Sequence, residues 1–146
     1  MIVVLDTNVI IAGLYSRNGA SFQIIKAALN KKLEYAISPL VAFEYIGKIE
    51  DKVKEGLLNL TVKYYLKIVK ILIQNGLQIL RPVLNRPTLP DNSDDKIFEC
   101  AIAGHCNIIL TFNKKDFPKN VTDQYNLTVM TPGEFIKSGG LDENNL

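Results

Sequence analysis

Five apolar residues, Met1-Ile2-Val3-Val4-Leu5, run directly into Asp6, and apolar character resumes in Val9-Ile10-Ile11. A run this short and this apolar predicts a buried strand that stops at a carboxylate. In an open α/β sheet, ligands bind outside the carboxyl ends of the strands. A charge delivered to that edge by so apolar a strand needs a partner or a task.

The remainder alternates strand and helix, which predicts an α/β fold with a mostly parallel sheet and helices packed on it. Strand 2–5 leads into a helix over 7–15, broken by Ser16-Arg17-Asn18-Gly19. A second helix over 20–30 puts Phe22, Ile25 and Leu29 on one face. A short strand over 34–37 meets Ser38-Pro39, an N-cap followed by proline at the first helical position, and that helix carries Glu44 to about residue 50. Residues 51–58 match no pattern.

Residues 60–75 predict a helix whose Lys63, Lys67, Lys70 and Gln74 form a solvent stripe and which Gly76 terminates. A strand over 77–80 follows. Pro82, Pro87 and Pro90 make 81–92 an irregular loop. Asn92 or Ser93 caps a helix to about residue 104. A strand over 107–111, a turn over 113–118, a strand over 127–130 and a helix over 132–137 complete one domain, residues 1–137. Residues 138–146 read as a frayed tail.

Composition limits the function classes. The 146 residues, 47% hydrophobic and 22% charged, suit a compact globule. A net charge of +2 is compatible with an anionic partner without demanding one. Two cysteines, Cys100 and Cys106, with no secretory pattern, point to reduced thiols and a cytoplasmic location. Residues 1–15 lack a basic leader and hold Asp6 in their middle, so they are not expected to be a signal peptide. No run approaches the ~18 apolar residues of a membrane span.

Four acidic positions stand out: Asp6, Glu44, Asp95 and Asp116. If strands 2–5 and 107–111 are parallel, Asp6 and Asp116 share one sheet edge. Asp95 lies in the first turn of the helix feeding strand 107–111, and the long loop before it lets that helix start at the same edge. Glu44 is surrounded by Leu40, Val41, Phe43 and Tyr45. Four carboxylates brought together must protonate in part or be neutralised by a cation. Oxygen-only ligands select hard ions such as Mg²⁺ or Mn²⁺, which bind phosphate oxygens, acidify water and stabilise a leaving oxygen.

Each position also has a structural alternative. Asp6 can cap the first helix; Asp94 and Asp95 suit the positive end of a helix dipole; Glu44 can pair with Lys48 one turn on; Asp116 can be a turn residue. It is the order and setting of the four together that points to a site. His105, Cys106 and Cys100 lack the spaced ligand pairs of a zinc centre. A single histidine argues against a serine–histidine triad, and no glycine-rich phosphate loop is present. The Lys63/Lys67/Lys70 stripe reads as a solvated face. Arg17, Arg86, Lys96, Lys114 and Lys115 are better phosphate candidates, with surface charge as their alternative.

Four segments together resemble the PIN domain, the nuclease fold of VapC-type toxins. They are Val3-Val4-Leu5-Asp6-Thr7-Asn8-Val9-Ile10; Ser38-Pro39 followed by Glu44; Asp91-Asn92-Ser93-Asp94-Asp95-Lys96-Ile97-Phe98-Glu99-Cys100-Ala101; and Ile109-Leu110-Thr111-Phe112-Asn113-Lys114-Lys115-Asp116-Phe117. The resemblance covers residues 2 to about 136 and is strongest to the branch of toxin components. It implies a three-layer sandwich, a central mostly parallel sheet flanked by helices, with an acidic pocket at its carboxyl edge.

It also implies Mg²⁺- or Mn²⁺-dependent cleavage of single-stranded or structured RNA. Asp6 and Asp95 would be the main metal ligands, and Glu44 and Asp116 would complete the pocket. Thr111 and Asn8 would support the ligands from behind. Asp94 and Asp95 compete for the third acidic position; Asp95 directly precedes Lys96-Ile97-Phe98, as in the family's pattern. A homodimer and an antitoxin protein that blocks the pocket are implied partners. The competing readings are a noncatalytic PIN-like module that binds RNA or protein, and an RNA-processing nuclease unrelated to toxicity. Another α/β phosphate enzyme is a minor third; a dehalogenase-type site would need aspartate where Asn8 stands.

Overall fold

A computed structural model describes residues 1–80 and 95–142. Its strands are β1 (Val3–Leu5), β2 (Ala36–Ile37), β3 (Leu77–Gln78), β4 (Ile108–Leu110) and β5 (Thr128–Met130). Its helices are α1 (Thr7–Tyr15), α2 (Ala20–Leu29), α3 (Pro39–Lys54), α4 (Val62–Asn75), α5 (Asp95–Ala103), α6 (Lys119–Thr122) and α7 (Pro132–Lys137). The loop expected over 81–92 and the cap expected at Asn92 or Ser93 lie outside the described residues.

The sheet is parallel throughout. β4 lies between β1 and β5, with Leu5 opposite Leu110 and Leu110 opposite Met130. β2 pairs with β3, and a parallel bridge between Val3 and Tyr35 joins that pair to β1. β1 and β4 are buried because helices flank the sheet. α5 packs directly on β1, β2 and β4, while α1, α2, α3, α4 and α7 form a connected set of neighbours. Val3, Val4, Leu5, Ile109, Leu110 and Phe98 are all but inaccessible to solvent. Truncating a buried aromatic such as Phe98 to alanine would cost about 3–5 kcal/mol.

Two buried tyrosine hydroxyls hold the layers in register. Tyr45 of α3 donates to the carbonyl of Leu5, fixing α3 against the end of β1. Tyr35 donates to the carbonyl of Leu72 at 2.6 Å, fixing α4 against the strand side.

Three features differ from what the pattern suggested. α3 runs a turn past residue 50, because Ile49 and Val53 pack with Leu58, Tyr65 and Val69 in a second apolar cluster. Gly56, in the left-handed region at φ 85°, then turns the chain away. Gly76 does stop α4, but at φ −80° it is needed for space. A Cβ there would stand 2.7 Å from the Tyr35 ring and 2.8 Å from Ile37. The span between strands β4 and β5 holds a short 3₁₀ turn at Lys114–Asp116, then α6 and a second such turn at Asp123–Tyr125. Beyond α7, the amide of Gly140 donates to the carbonyl of Phe135 at 2.9 Å and Leu141 packs on the core. Among the described residues no helix is long and apolar enough to cross a membrane.

Candidate active site

Parallel pairing of β1 with β4 brings the residues that follow them, Asp6 and Thr111, out side by side. The amide of Asp6 donates to the carbonyl of Leu110 at 2.9 Å, continuing the ladder one step past the strand. The Thr111 hydroxyl donates to Asp6 Oδ2 at 2.7 Å, and the amide of Thr7 donates to Oδ1 at 2.7 Å. Asn8 Nδ2 donates at 3.3 Å to both Asp6 Oδ2 and Thr111 Oγ1. Asp6 therefore does cap α1, as the structural alternative held, while its carboxylate also faces a cavity. Capping and lining the cavity are compatible, because each carboxylate oxygen keeps a further lone pair.

Asp6 is 6% exposed. Burial raises its pKa above the ordinary value; the bonds from Thr111 and Thr7 oppose the rise, and the negative charge of Asp116 adds to it. Glu44 reaches the same place from α3, where Ser38 Oγ accepts from the Val41 amide at 3.2 Å and fixes the helix start. Burial raises the Glu44 pKa as well; Lys96 and Lys48 oppose, and Asp6 reinforces. The Thr7 hydroxyl lies near enough to favour the charged form, yet among the described residues neither it nor Glu44 Oε2 has a hydrogen-bond partner. Among the described residues Glu44 forms no ion pair, so the expected bond to Lys48 is a longer-range attraction.

One cavity of about 420 Å³ gathers these groups: Asp6, Asn8, Glu44 and Asp116 line one part of it, Lys48 and Lys52 another. Asp116 arrives on the 3₁₀ turn after β4, and the Asn113 amide donates to Thr111 Oγ1 at 3.0 Å at the start of that turn. Asp95 is the first residue of α5 and 6% exposed, with Oδ1 unpartnered, but it does not form part of the cavity wall. Its neighbour Lys96 lies close enough to Glu44 to act on its charge. Asp94 lies outside the described residues.

Several residues take roles the pattern did not assign. Lys48 and Lys52 line the acidic cavity, Lys52 with its ammonium paired to Glu55 at 3.0 Å; their spacing along α3 from Glu44 was the available signal. Glu99 is buried one turn beyond Asp95. Of the phosphate candidates, Lys114 is paired with Glu134 at 3.0 Å, and Lys114 and Lys115 line a different cavity. Arg17 lines a third, and Arg86 lies outside the described residues. Lys63, Lys67 and Lys70 are exposed, as a solvated stripe should be. Burial pushes the thiols of Cys100 and Cys106 up to about 11 and about 12, so both are inert at neutral pH.

The donors around the cavity are carboxylate, hydroxyl and amide oxygens, the set that hard divalent ions prefer. Among the described residues Glu44 Oε2 and Asp95 Oδ1 are buried and find no partner, and such groups in a native fold call for an ion, water or ligand. Among the described residues no group of three or more His, Cys, Asp or Glu side chains is gathered tightly enough to cage a metal by itself. The set fits an ion that keeps part of its water and takes its remaining ligands from substrate, as Mg²⁺ does.

The parallel sheet flanked by helices, with carboxylates at its carboxyl edge, defines an α/β fold consistent with the PIN architecture. The sequence profile of the PIN domain matches residues 2–115, and the chain belongs to this family of nucleases, whose substrates are nucleic acids and which typically use divalent metals. No curated protein gives a significant match.

Proposed function

We propose that this protein is a Mg²⁺- or Mn²⁺-dependent endoribonuclease. The observation that carries the reading is the meeting of Asp6, Glu44 and Asp116, from three distant segments, in one cavity beside phosphate-attracting lysines. The resemblance assigns Asp6 and Asp95 as the main metal ligands, with Glu44 and Asp116 completing the set; of the four, Asp95 alone stands outside the cavity wall. The bound ion would neutralise the phosphate oxygens, acidify the attacking water and stabilise the leaving oxygen.

The chain's own residues supply the rest. Thr111 and Asn8 hold the Asp6 carboxylate in one orientation by the bonds described above, and such supports fix ligand geometry. Burial raises the pKa values of Asp6 and Glu44, and a cation bound between them would oppose that rise. Lys48 draws the phosphate backbone toward the carboxylates.

The resemblance to toxin components supports the finer reading: the nuclease of a toxin–antitoxin pair, a homodimer of the cytoplasm, inhibited by a partner that covers the pocket. The test is cleavage of a labelled RNA by purified protein. Cutting that needs Mg²⁺ or Mn²⁺, stops with chelator and is lost in Asp6→Asn supports the nuclease; cutting that persists unchanged in Asp6→Asn overturns the site. Rescue of growth by the product of a neighbouring reading frame would support the toxin reading, and normal growth on induced expression of an active enzyme would contradict it.

A further inference from the structure

The acidic cavity extends away from its carboxylates along α1. Thr7, Ile11 and Tyr15 of that helix line it, a spacing of four that defines one helical face. Glu44, Lys48 and Lys52 line it from α3 at the same spacing. The result is a groove with carboxylates near one end of α1 and Tyr15 at the other, about 12 Å apart along the helix axis.

Tyr15 is 61% exposed, and among the described residues it makes no hydrogen bond and no ring contact. A lone exposed aromatic is ordinary on a protein surface; the placement of this one is not. Its ring walls the acidic cavity and also a second cavity of about 540 Å³, which Arg17, Asn59 and Tyr64 line. Each cavity that Tyr15 lines also holds a cation, Lys48 in the acidic one and Arg17 in the second, mostly apolar one, while Lys52 is paired with Glu55. That combination, a positive track interrupted by an open ring, is how proteins hold unpaired nucleotides without reading their sequence.

We propose that Tyr15 stacks the base of a nucleotide adjacent to the scissile phosphate, with Lys48 and Arg17 following the backbone to either side. This rests on the nuclease reading, which sets a phosphate at the carboxylates. Tyr15 is a positioning residue: it anchors the strand and touches no reacting atom.

Binding is measured with a short oligouridylate in the presence of Mg²⁺, in an Asp6→Asn background to suppress cutting. Tyr15→Ala is expected to weaken binding about 5- to 150-fold, the range for losing one stacked base, and Tyr15→Phe to bind like the parent. An oligonucleotide carrying abasic sites should bind the parent and Tyr15→Ala equally. The chain has no tryptophan, so Tyr15→Trp installs a unique emitter whose fluorescence the stacked base should quench. In the otherwise native enzyme, Tyr15→Ala should raise KM and leave kcat and melting temperature unchanged. Equal binding by the parent and Tyr15→Ala, or a tryptophan signal that saturating RNA does not move, overturns the proposal. Stacking through Tyr15 without metal-dependent cutting would sink the nuclease reading alone; metal-dependent cutting indifferent to Tyr15 would sink the stacking alone.

Discussion

Asp6 and Glu44 face one cavity from two walls, and they are held in opposite ways. Both oxygens of Asp6 accept hydrogen bonds, from Thr7, Thr111 and Asn8, so its orientation is set by the fold. Glu44 Oε2 accepts none, although it is buried. One wall presents a carboxylate in a fixed pose; the other presents one with bonding capacity to spare. A site built this way places its first ligand before anything binds and leaves the opposing ligand to respond. Both groups have raised pKa values for the same leading reason, burial; hydrogen bonds from Thr111 and Thr7 chiefly oppose it at Asp6, and the nearby Lys96 and Lys48 charges at Glu44.

The comparison can be broken most severely at its fixed side. Asp6→Asn should reduce metal-dependent cleavage by about 100-fold or more, exceeding the loss usual for a ligand's support, while circular dichroism remains that of the parent. Thr111→Val keeps the shape of a fully buried side chain but removes the bond to Asp6 Oδ2. It should weaken Mn²⁺ binding about 10- to 100-fold by calorimetry. Unchanged affinity would mean that the orientation of Asp6 does not depend on Thr111.

The responsive side is tested by pH. A carboxyl whose pKa rises on folding binds protons more readily in the folded than in the unfolded state. Stability therefore falls as pH climbs from the ordinary carboxylate range through the raised value, and is greatest below it. In chelator, the parent should lose melting temperature across that rise, and Glu44→Gln should lose less and melt a few degrees higher near neutrality. A Glu44→Gln protein that melts lower at every pH would show that Glu44 contributes to the fold rather than waiting for a cation. The smallest effect belongs to the lysines. Lys48→Ala should weaken RNA binding and reduce its salt dependence by about one phosphate contact, whereas Lys67→Ala, on the solvent stripe, should do neither.

The two walls also differ in how far they were legible in sequence. Asp6 was legible because its setting is local: an apolar strand, a charge, and a helix starting on the next residue. The sheet partner was legible too, since Ile108–Leu110 is equally apolar and ends at Thr111. α1 and α7 begin and end where their caps and breakers indicate. Glu44 carried less information. Its neighbours showed only that it lay between the polar and apolar sides of α3, and its approach to Asp6 depends on the Tyr45–Leu5 bond between distant segments. Lys48 was legible only as a one-turn partner for Glu44, and Lys52 lay in residues 51–58, which matched no pattern, since a helical spacing does not announce what lies opposite. The extra turn of α3 was missed because Leu58, Tyr65 and Val69, which cover Ile49 and Val53, come later in the chain. Gly56, which could have marked the helix end, was passed over.

The central claim is that carboxylates from distant parts of the chain hold one divalent ion. Anomalous diffraction from crystals grown with Mn²⁺ tests it most directly. The account predicts one strong peak in the cavity, within coordination distance of Asp6 and bordered by Glu44 and Asp116, and no such peak in Asp6→Asn. A Lys48 or Lys96 ammonium occupying that position, or a peak that survives Asp6→Asn, would contradict it.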